Sequence, residues 1–351
     1  MIGGLEEEYL RYTERMKDAK RSFLGRIEAK VGQVLFVVSQ GRDMTKLEIK
    51  KESGLSMSTV LSAVDDLRKE GLLTLETKKS ANGGKPHSVI NIARNKAVYG
   101  VSYKARTLTA AALGLSGEVL LSRERYVSDP ALSPTRYVEE ILTDLRRAAP
   151  PPIAIALAVN SAETAALAES LAKKYDARTF PTGNVAALAY HCLWRTGETP
   201  LAVLGIGNRI KCASLRESCL VTEVGGLRCP VATTRSGNAY ERILALSTVE
   251  ERLRAARYRG VYALDGDRLR ESMEIGEYAR TLARAIASLA EEAYAFLAPR
   301  RLFLYGDYLT DGFFERVRSE SRAPVERLRA EKEDFAVGAA LLALAEGVFK
   351  R

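Results

Sequence analysis

The periodicity of this chain changes once, at Asn95, and that change dictates how it can be built. Up to that point, apolar residues recur at helical steps of three and four. Beyond it, short apolar runs alternate with helical stretches, which is an α/β pattern. A chain of 351 residues is long enough for two or three domains, each with a proper core. Hydrophobic residues make up 46% and charged residues 28%, so wholesale disorder is excluded.

In the first part, Met16, Ala19, Phe23, Ile27, Val31, Leu35 and Val38 predict an amphipathic helix ending near Gln40 and Gly41. Thr45 followed by Glu48 is a capping-box signature, and the short helix it opens runs into Gly54. Ser56 is a good N-cap for a third helix with an inner face of Val60, Val64 and Leu67, ending at Gly71. Residues 72–77 and 88–92 read as extended segments around a basic, glycine-rich tip, so a β-hairpin is expected there. Helix, short helix, turn, helix and basic hairpin together describe a winged helix-turn-helix.

That arrangement suits double-stranded DNA. The third helix presents a slim N-terminal half, Ser56, Met57, Ser58, Thr59 and Ser62, which can enter a major groove about 12 Å wide. Lys46 and Lys50 on the preceding helix can hold phosphates, while Lys78, Lys79, Gly84 and Lys85 form a wing that can follow the backbone. The early helix carries no Arg, Asn or Gln, so base discrimination is expected to rest on the wing and on DNA shape. Residues 1–95 hold 17 Lys and Arg against 13 Asp and Glu, a charge of +4; residues 96–351 hold 36 against 31, or +5. Per residue the first part is more than twice as basic, which fits an acidic partner but also fits a merely soluble surface. A winged helix used for protein contacts is the alternative reading.

Counting restricts the remaining chemistry. Cys192, Cys212, Cys219 and Cys229 include no Cys-x-x-Cys pair, so neither a disulfide framework nor a zinc knuckle is expected. His87 and His191 are the two histidines, too few for a multi-histidine metal centre. His191 sits in a helical stretch and reads as a half-buried structural histidine. No metal and no cofactor are expected. The longest nearly apolar stretch, 335–349, carries Glu346 and is shorter than the ~18–20 residues of a bilayer span. The acidic start shows no secretory signal pattern, so a cytoplasmic location away from membranes is expected.

After Asn95, three successive strands are predicted at 98–105, 107–115 and 118–126, then a helix at 137–148 and a buried strand at 153–159. Helices follow at 162–175 and 185–196. A second round of strands opens at 201–207, with a long helix at 274–297, a strand at 301–307 and a closing helix around 336–344. This repeated theme suggests a duplicated ribonuclease-H-like fold of the actin and sugar-kinase type. With Gly84-Lys85-Pro86 in the wing, the turn from Gly114 to Glu118 and the segment 336–340, the whole chain resembles the repressor branch of the ROK family. In that family a winged helix precedes a sugar-kinase-like domain. The expected domains are 1–95 for the winged helix, 96–190 for the first lobe, and 191–351 for the second lobe with its closing helix.

Departures from the family pattern bear on mechanism. The resemblance implies a phosphate loop of Asp-x-Gly-x-Thr form where this chain has Ser102-Tyr103-Lys104-Ala105-Arg106. It implies a catalytic Asp where this chain has Thr182, ahead of Asn184; a threonine hydroxyl is no useful base near pH 7. The second phosphate loop survives only as Gly205-Ile206-Gly207-Asn208-Arg209, equally a tight strand turn. The sugar-binding Glu-x-Gly-His motif reads Glu223-Val224-Gly225-Gly226, and Cys229 alone remains of the zinc loop. The interval between 159 and 182 is shorter than the family's and lacks much of a sugar-pocket wall. The expected function is therefore a DNA-binding transcriptional regulator, a repressor by resemblance, with a catalytically inactive kinase-like domain. Asn160, Asn184 and Glu223 are the polar candidates for a sugar or other small-molecule effector, and a homodimer or homotetramer is expected. An ATP-dependent sugar kinase and an assembly protein that does not bind DNA are the alternatives.

Overall fold

The structure, a computed structural model, describes residues 27–78, 87–129, 135–159, 161–216, 219–225, 237–258, 260–265 and 273–350. The chain divides into two compact units, Met1–Gly197 with Glu331–Arg351, and Glu198–Ala330.

The first unit begins with helices α1 (Lys30–Gln40), α2 (Lys46–Ser53) and α3 (Met57–Lys69) and the hairpin β1 (Leu73–Lys78) and β2 (His87–Ile92). The apolar spacing predicted one helix from Met16, but α1 starts only at Lys30, and residues 16–26 lie outside the described residues. Ala29 is extended, Ile27 is buried, and its carbonyl accepts a hydrogen bond from Gln33 Nε2 at 2.5 Å. The chain therefore turns into the core at Ile27 instead of continuing as helix. The capping box forms as expected at the start of α2: Thr45 accepts from the Glu48 amide, and Glu48 accepts from the Thr45 amide. Gly54 ends α2 in the left-handed region (φ 72°), a conformation costly for any other common residue. Ser56 caps α3, which buries Val60, Ala63, Val64 and Leu67. β1 and β2 pair antiparallel from Leu73 opposite Ile92 to Lys78 opposite His87, and Met44 adds one antiparallel rung at Ile90. The first part is thus a winged helix-turn-helix.

The same unit continues with β3 (Ala97–Lys104), β4 (Thr107–Gly114), β5 (Val119–Tyr126), α4 (Thr135–Ala148), β6 (Pro152–Ala158), α5 (Thr164–Tyr175), β7 (Arg178–Pro181) and α6 (Asn184–Thr196). Its sheet order is β5-β4-β3-β6-β7, the first three strands antiparallel and β6 and β7 parallel to β3. On β3, Ala97, Tyr99 and Val101 face a core built with Val138, Ile141, Leu142 and Leu145 of α4 and with Ala168 and Leu171 of α5. The intervening residues point to the opposite face, as the two-residue period of a strand requires.

The second unit holds β8 (Leu201–Ile206), β9 (Ile210–Arg216), β10 (Cys219–Gly225), α7 (Gly237–Leu244), α8 (Leu246–Ala255), α9 (Met273–Leu297), β11 (Arg301–Gly306), α10 (Asp311–Glu320) and β12 (Val325–Arg327). Its sheet order, β10-β9-β8-β11-β12, repeats the first unit's in strand sequence and in direction. That repetition is the expected duplication. Its core centres on α9, where Ala279, Leu282, Ala283, Ile286, Leu289, Ala290 and Ala293 recur at helical spacing.

The closing helix α11 (Lys332–Leu344) and a π-helical turn (Ala345–Phe349) return the chain to the first unit. The expected lobe boundaries are corrected here: α11 does not pack in the second lobe, and a division at residue 190 would cut through α6. The cause is steric fit. α11 lies across α6, β3 and β4. A Cβ at Gly338 would collide with the Ala187 carbonyl, and one at Gly100 on β3 would collide with the backbone of Ala336 and Ala340. After its charged first turn, α11 is buried from Phe335 to Leu344 at every residue but Val337, so this stretch is apolar all round rather than amphipathic. At the end of the chain, the Phe349 ring meets Phe36 of α1 edge-on, centroids 5.3 Å apart at 88°. The winged portion is thereby seated on the chain's last turn.

Candidate functional site

Two surfaces of the first unit carry the chemistry anticipated from the sequence. On the winged portion, Ser56, Ser58 and Ser62 are exposed and Met57 and Thr59 are partly so. Their roles divide once the geometry is known. The Ser56 hydroxyl lies 2.9 Å from Ser58 Oγ and 2.8 Å from Thr59 Oγ1, and it accepts the Thr59 amide at 3.2 Å. The hydroxyls of Ser56, Ser58 and Thr59 are therefore joined at the cap, Ser58 staying exposed, while Ser62 lies on the outward face beyond it. Leu61 and Asp65 extend that face at the next helical steps; both are exposed, and sequence reading passed over them. Extending the spacing from Ser58 by three and seven would have found them. A carboxylate at Asp65 repels phosphate but can accept a hydrogen bond from a cytosine amino group.

Lys50 is exposed on α2 and Lys46 half-buried, with the adjacent Lys51 also exposed. Lys78, expected among the DNA-binding lysines of the wing, ends β1 and is exposed. Its ammonium donates to Asp43 Oδ2 at 2.6 Å, and Asp43 also accepts from Asn91 Nδ2 at 3.0 Å. These bonds, Lys78 first, hold the Asp43 carboxyl below its ordinary range. Lys78 thus braces the base of the hairpin. Lys79, Gly84 and Lys85 lie outside the described residues. Glu48 is likewise held below the usual carboxylate range, chiefly by the Thr45 amide, so the cap is ionised and complete.

The second surface is the kinase-like site. The β3–β4 turn consists of Ala105 (φ 48°) and Arg106 (φ 62°), two non-glycine residues in the left-handed region. Each costs about 1 kcal/mol or more relative to glycine. Their surroundings hold them there. Arg106 donates to the Ser128 carbonyl and stacks over Tyr126 at 5.2 Å, while Lys104 lies 5.0 Å above the Phe335 ring of α11. Lys332 Nζ donates to Thr107 Oγ1 at 3.0 Å. Where the resemblance implies a glycine-bearing loop, this turn carries Lys104, Ala105 and Arg106, the last two exposed.

Thr182 follows β7, its amide donating to the Leu157 carbonyl at 2.9 Å. Asn184 opens α6 and donates through Nδ2 to the Tyr103 carbonyl at 3.0 Å. The ends of β3, β6 and β7 thus converge on these two residues. Thr182 Oγ1 and Asn184 Oδ1 are both buried, and neither has a hydrogen-bond partner among the described residues. Such orphan acceptors are uncommon and call for a donor. Asn160 lies outside the described residues. Glu223 belongs to the second unit, on β10 opposite Ala213, and its side chain is not described.

The β8–β9 turn resolves as a strand turn that satisfies itself. The Gly207 carbonyl accepts from the Leu246 amide at 3.2 Å, and Asn208 Oδ1 accepts from the Ser247 amide at 3.0 Å. The first amides of α8, the groups most able to bind an anion, are already occupied by the turn.

No family model matches the sequence, and no curated protein matches it either. Solved structures do resemble it. A ROK family transcriptional regulator, a homologue of the E. coli MLC protein, aligns with a TM-score of 0.65 at 16% identity, over 93% of this chain and 98% of that one. The ROK hexokinase of Thermus thermophilus aligns with a TM-score of 0.58 at 15% identity, over 71% of this chain and 98% of its own. A ROK family protein of Streptococcus pneumoniae, solved with sucrose, gives 0.57 at 13% identity, again over 71% and 98%. Among the described residues, no helix is long and apolar enough to cross a membrane. The chain therefore shares the fold of these ROK proteins, a duplicated, sugar-kinase-like core, and its first part has the helix and hairpin order of a winged helix-turn-helix.

Proposed function

We propose that this chain is a DNA-binding transcriptional regulator of ROK type, a repressor by its resemblance, whose kinase-like core transfers no phosphate. One observation carries the reading: a winged helix with exposed serines is joined to a core whose β3–β4 turn carries Lys104, Ala105 and Arg106 in place of a glycine-bearing phosphate loop. The share of this chain matched by the regulator exceeds the share matched by the hexokinase, by an amount comparable in size to the winged portion. That difference supports the regulator over the kinase.

The effector would bind where Thr182 Oγ1 and Asn184 Oδ1 lack donors. A polyhydroxylated ligand such as a sugar supplies hydroxyl donors of the kind these oxygens need. Pairing of two chains would present two α3 helices to successive turns of a pseudo-palindromic site, about 34 Å apart.

Genome-wide footprinting tests the regulator reading, and the genes beside the protected sites would identify the effector class. The kinase alternative predicts hexose phosphorylation by ATP that Thr182→Ala abolishes. Our reading predicts no hexose turnover by either form.

A further inference from the structure

In the second unit, α7, α8 and α9 surround a cavity of about 380 Å³ lined by Arg242, Ile243, Thr248, Arg252 and Tyr278. The chemistry of this lining is one-sided. Its polar groups are two guanidiniums, an aliphatic hydroxyl and a phenol, and no carboxylate stands among the described lining residues. Thr248 and Arg252 lie four residues apart on α8, so they share one helical face.

Tyr278 supplies an independent sign. Its hydroxyl is buried and has no hydrogen-bond partner among the described residues. Burial raises its pKa above the ordinary phenol value, against the opposing pull of Arg252, so it stays a neutral O–H able to donate. An unsatisfied donor beside guanidiniums is completed by an acceptor-rich anion. The volume lies in the range of small-molecule sites, larger than a bare ion needs, and Ile243 offers an apolar wall to a carbon skeleton.

We propose that this cavity binds a small organic anion through a phosphate or carboxylate head group held by Arg252, Thr248 and Tyr278. The proposal is independent of the regulator reading, since neither DNA binding nor the Thr182 site enters into it.

Calorimetric titration of the full chain tests it, with glycerol 3-phosphate, citrate and neutral glycerol compared at matched ionic strength. The expected result is saturable binding of at least one of the two anions and none of glycerol. A preference for glycerol 3-phosphate would make the head group a phosphate, and a preference for citrate would make it a carboxylate. Arg252→Gln, at an exposed position, should weaken that binding at least tenfold, and Tyr278→Phe should weaken it severalfold with the cavity shape kept. Failure of both anions to bind would overturn the proposal. So would binding that stays within twofold of the parent in both variants.

Discussion

The winged portion and the kinase-like site belong to one unit, yet they treat their side chains in opposite ways. On α3, the hydroxyls of Ser56, Ser58 and Thr59 are tied together at the cap, and the face carrying Leu61, Ser62 and Asp65 is exposed. At the β3–β4 turn the reverse holds: Lys104 and Arg106 fold onto Phe335, Tyr126 and Ser128. The difference teaches where binding capacity has been kept. Short hydroxyls and lysines stay exposed on the first surface, whereas the cations of the turn lie against rings and a carbonyl of their own unit.

The link between the regions is the place to break the comparison most forcefully. Phe349→Ala removes the ring that seats Phe36 of α1, and it should cost about 3–5 kcal/mol of unfolding free energy, read by denaturant titration. Gly338→Leu should follow at about 1–3 kcal/mol, because its side chain collides with the Ala187 carbonyl where α11 crosses α6. Neither change touches the α3 face. Within the winged portion, Lys50→Ala should weaken DNA binding and lower the magnitude of the salt slope by about 1, while unfolding measurements stay near the parent value. Thr45→Ala should cost about 1 kcal/mol of stability through the lost cap.

The smallest expected effect is a dependence on pH. Burial lowers the His191 pKa below its ordinary 6.5, although Asp334, 3.6 Å away, pulls in the other direction. The unfolded chain therefore takes up this proton more readily than the folded one. The contribution of His191 is fully present above about pH 6.5 and is lost as pH falls below it. His191→Gln should flatten that part of the stability profile.

Much of this molecule is legible in its sequence because the relevant signals are local. The capping box at Thr45, the Ser56 cap and the long α9 stripe each depend on residues a few positions apart. What escapes reading depends on partners far along the chain. β7 and β12 are too short, at four and three residues, to show a period. The break in helix at Ile27 comes from burial and a bond to Gln33, and the placement of α11 comes from Gly338 and Gly100 allowing close approach. Lys78 looked like part of the wing surface because its partner, Asp43, lies 35 residues earlier. Thr182 is visible as a departure from a motif that Asn184 keeps, but only the fold reveals that each hides an oxygen with no partner among the described residues.

The central claim is that the winged portion of this chain binds DNA. Fluorescence anisotropy with DNA from upstream of the protein's own operon, titrated across salt concentrations, tests it most directly. Each neutralised phosphate contributes a slope of about −0.9, so four or more lysine contacts predict a log–log slope steeper than about −3, with tighter binding than to a scrambled duplex. Binding that is absent, or that does not change with salt, would contradict the claim.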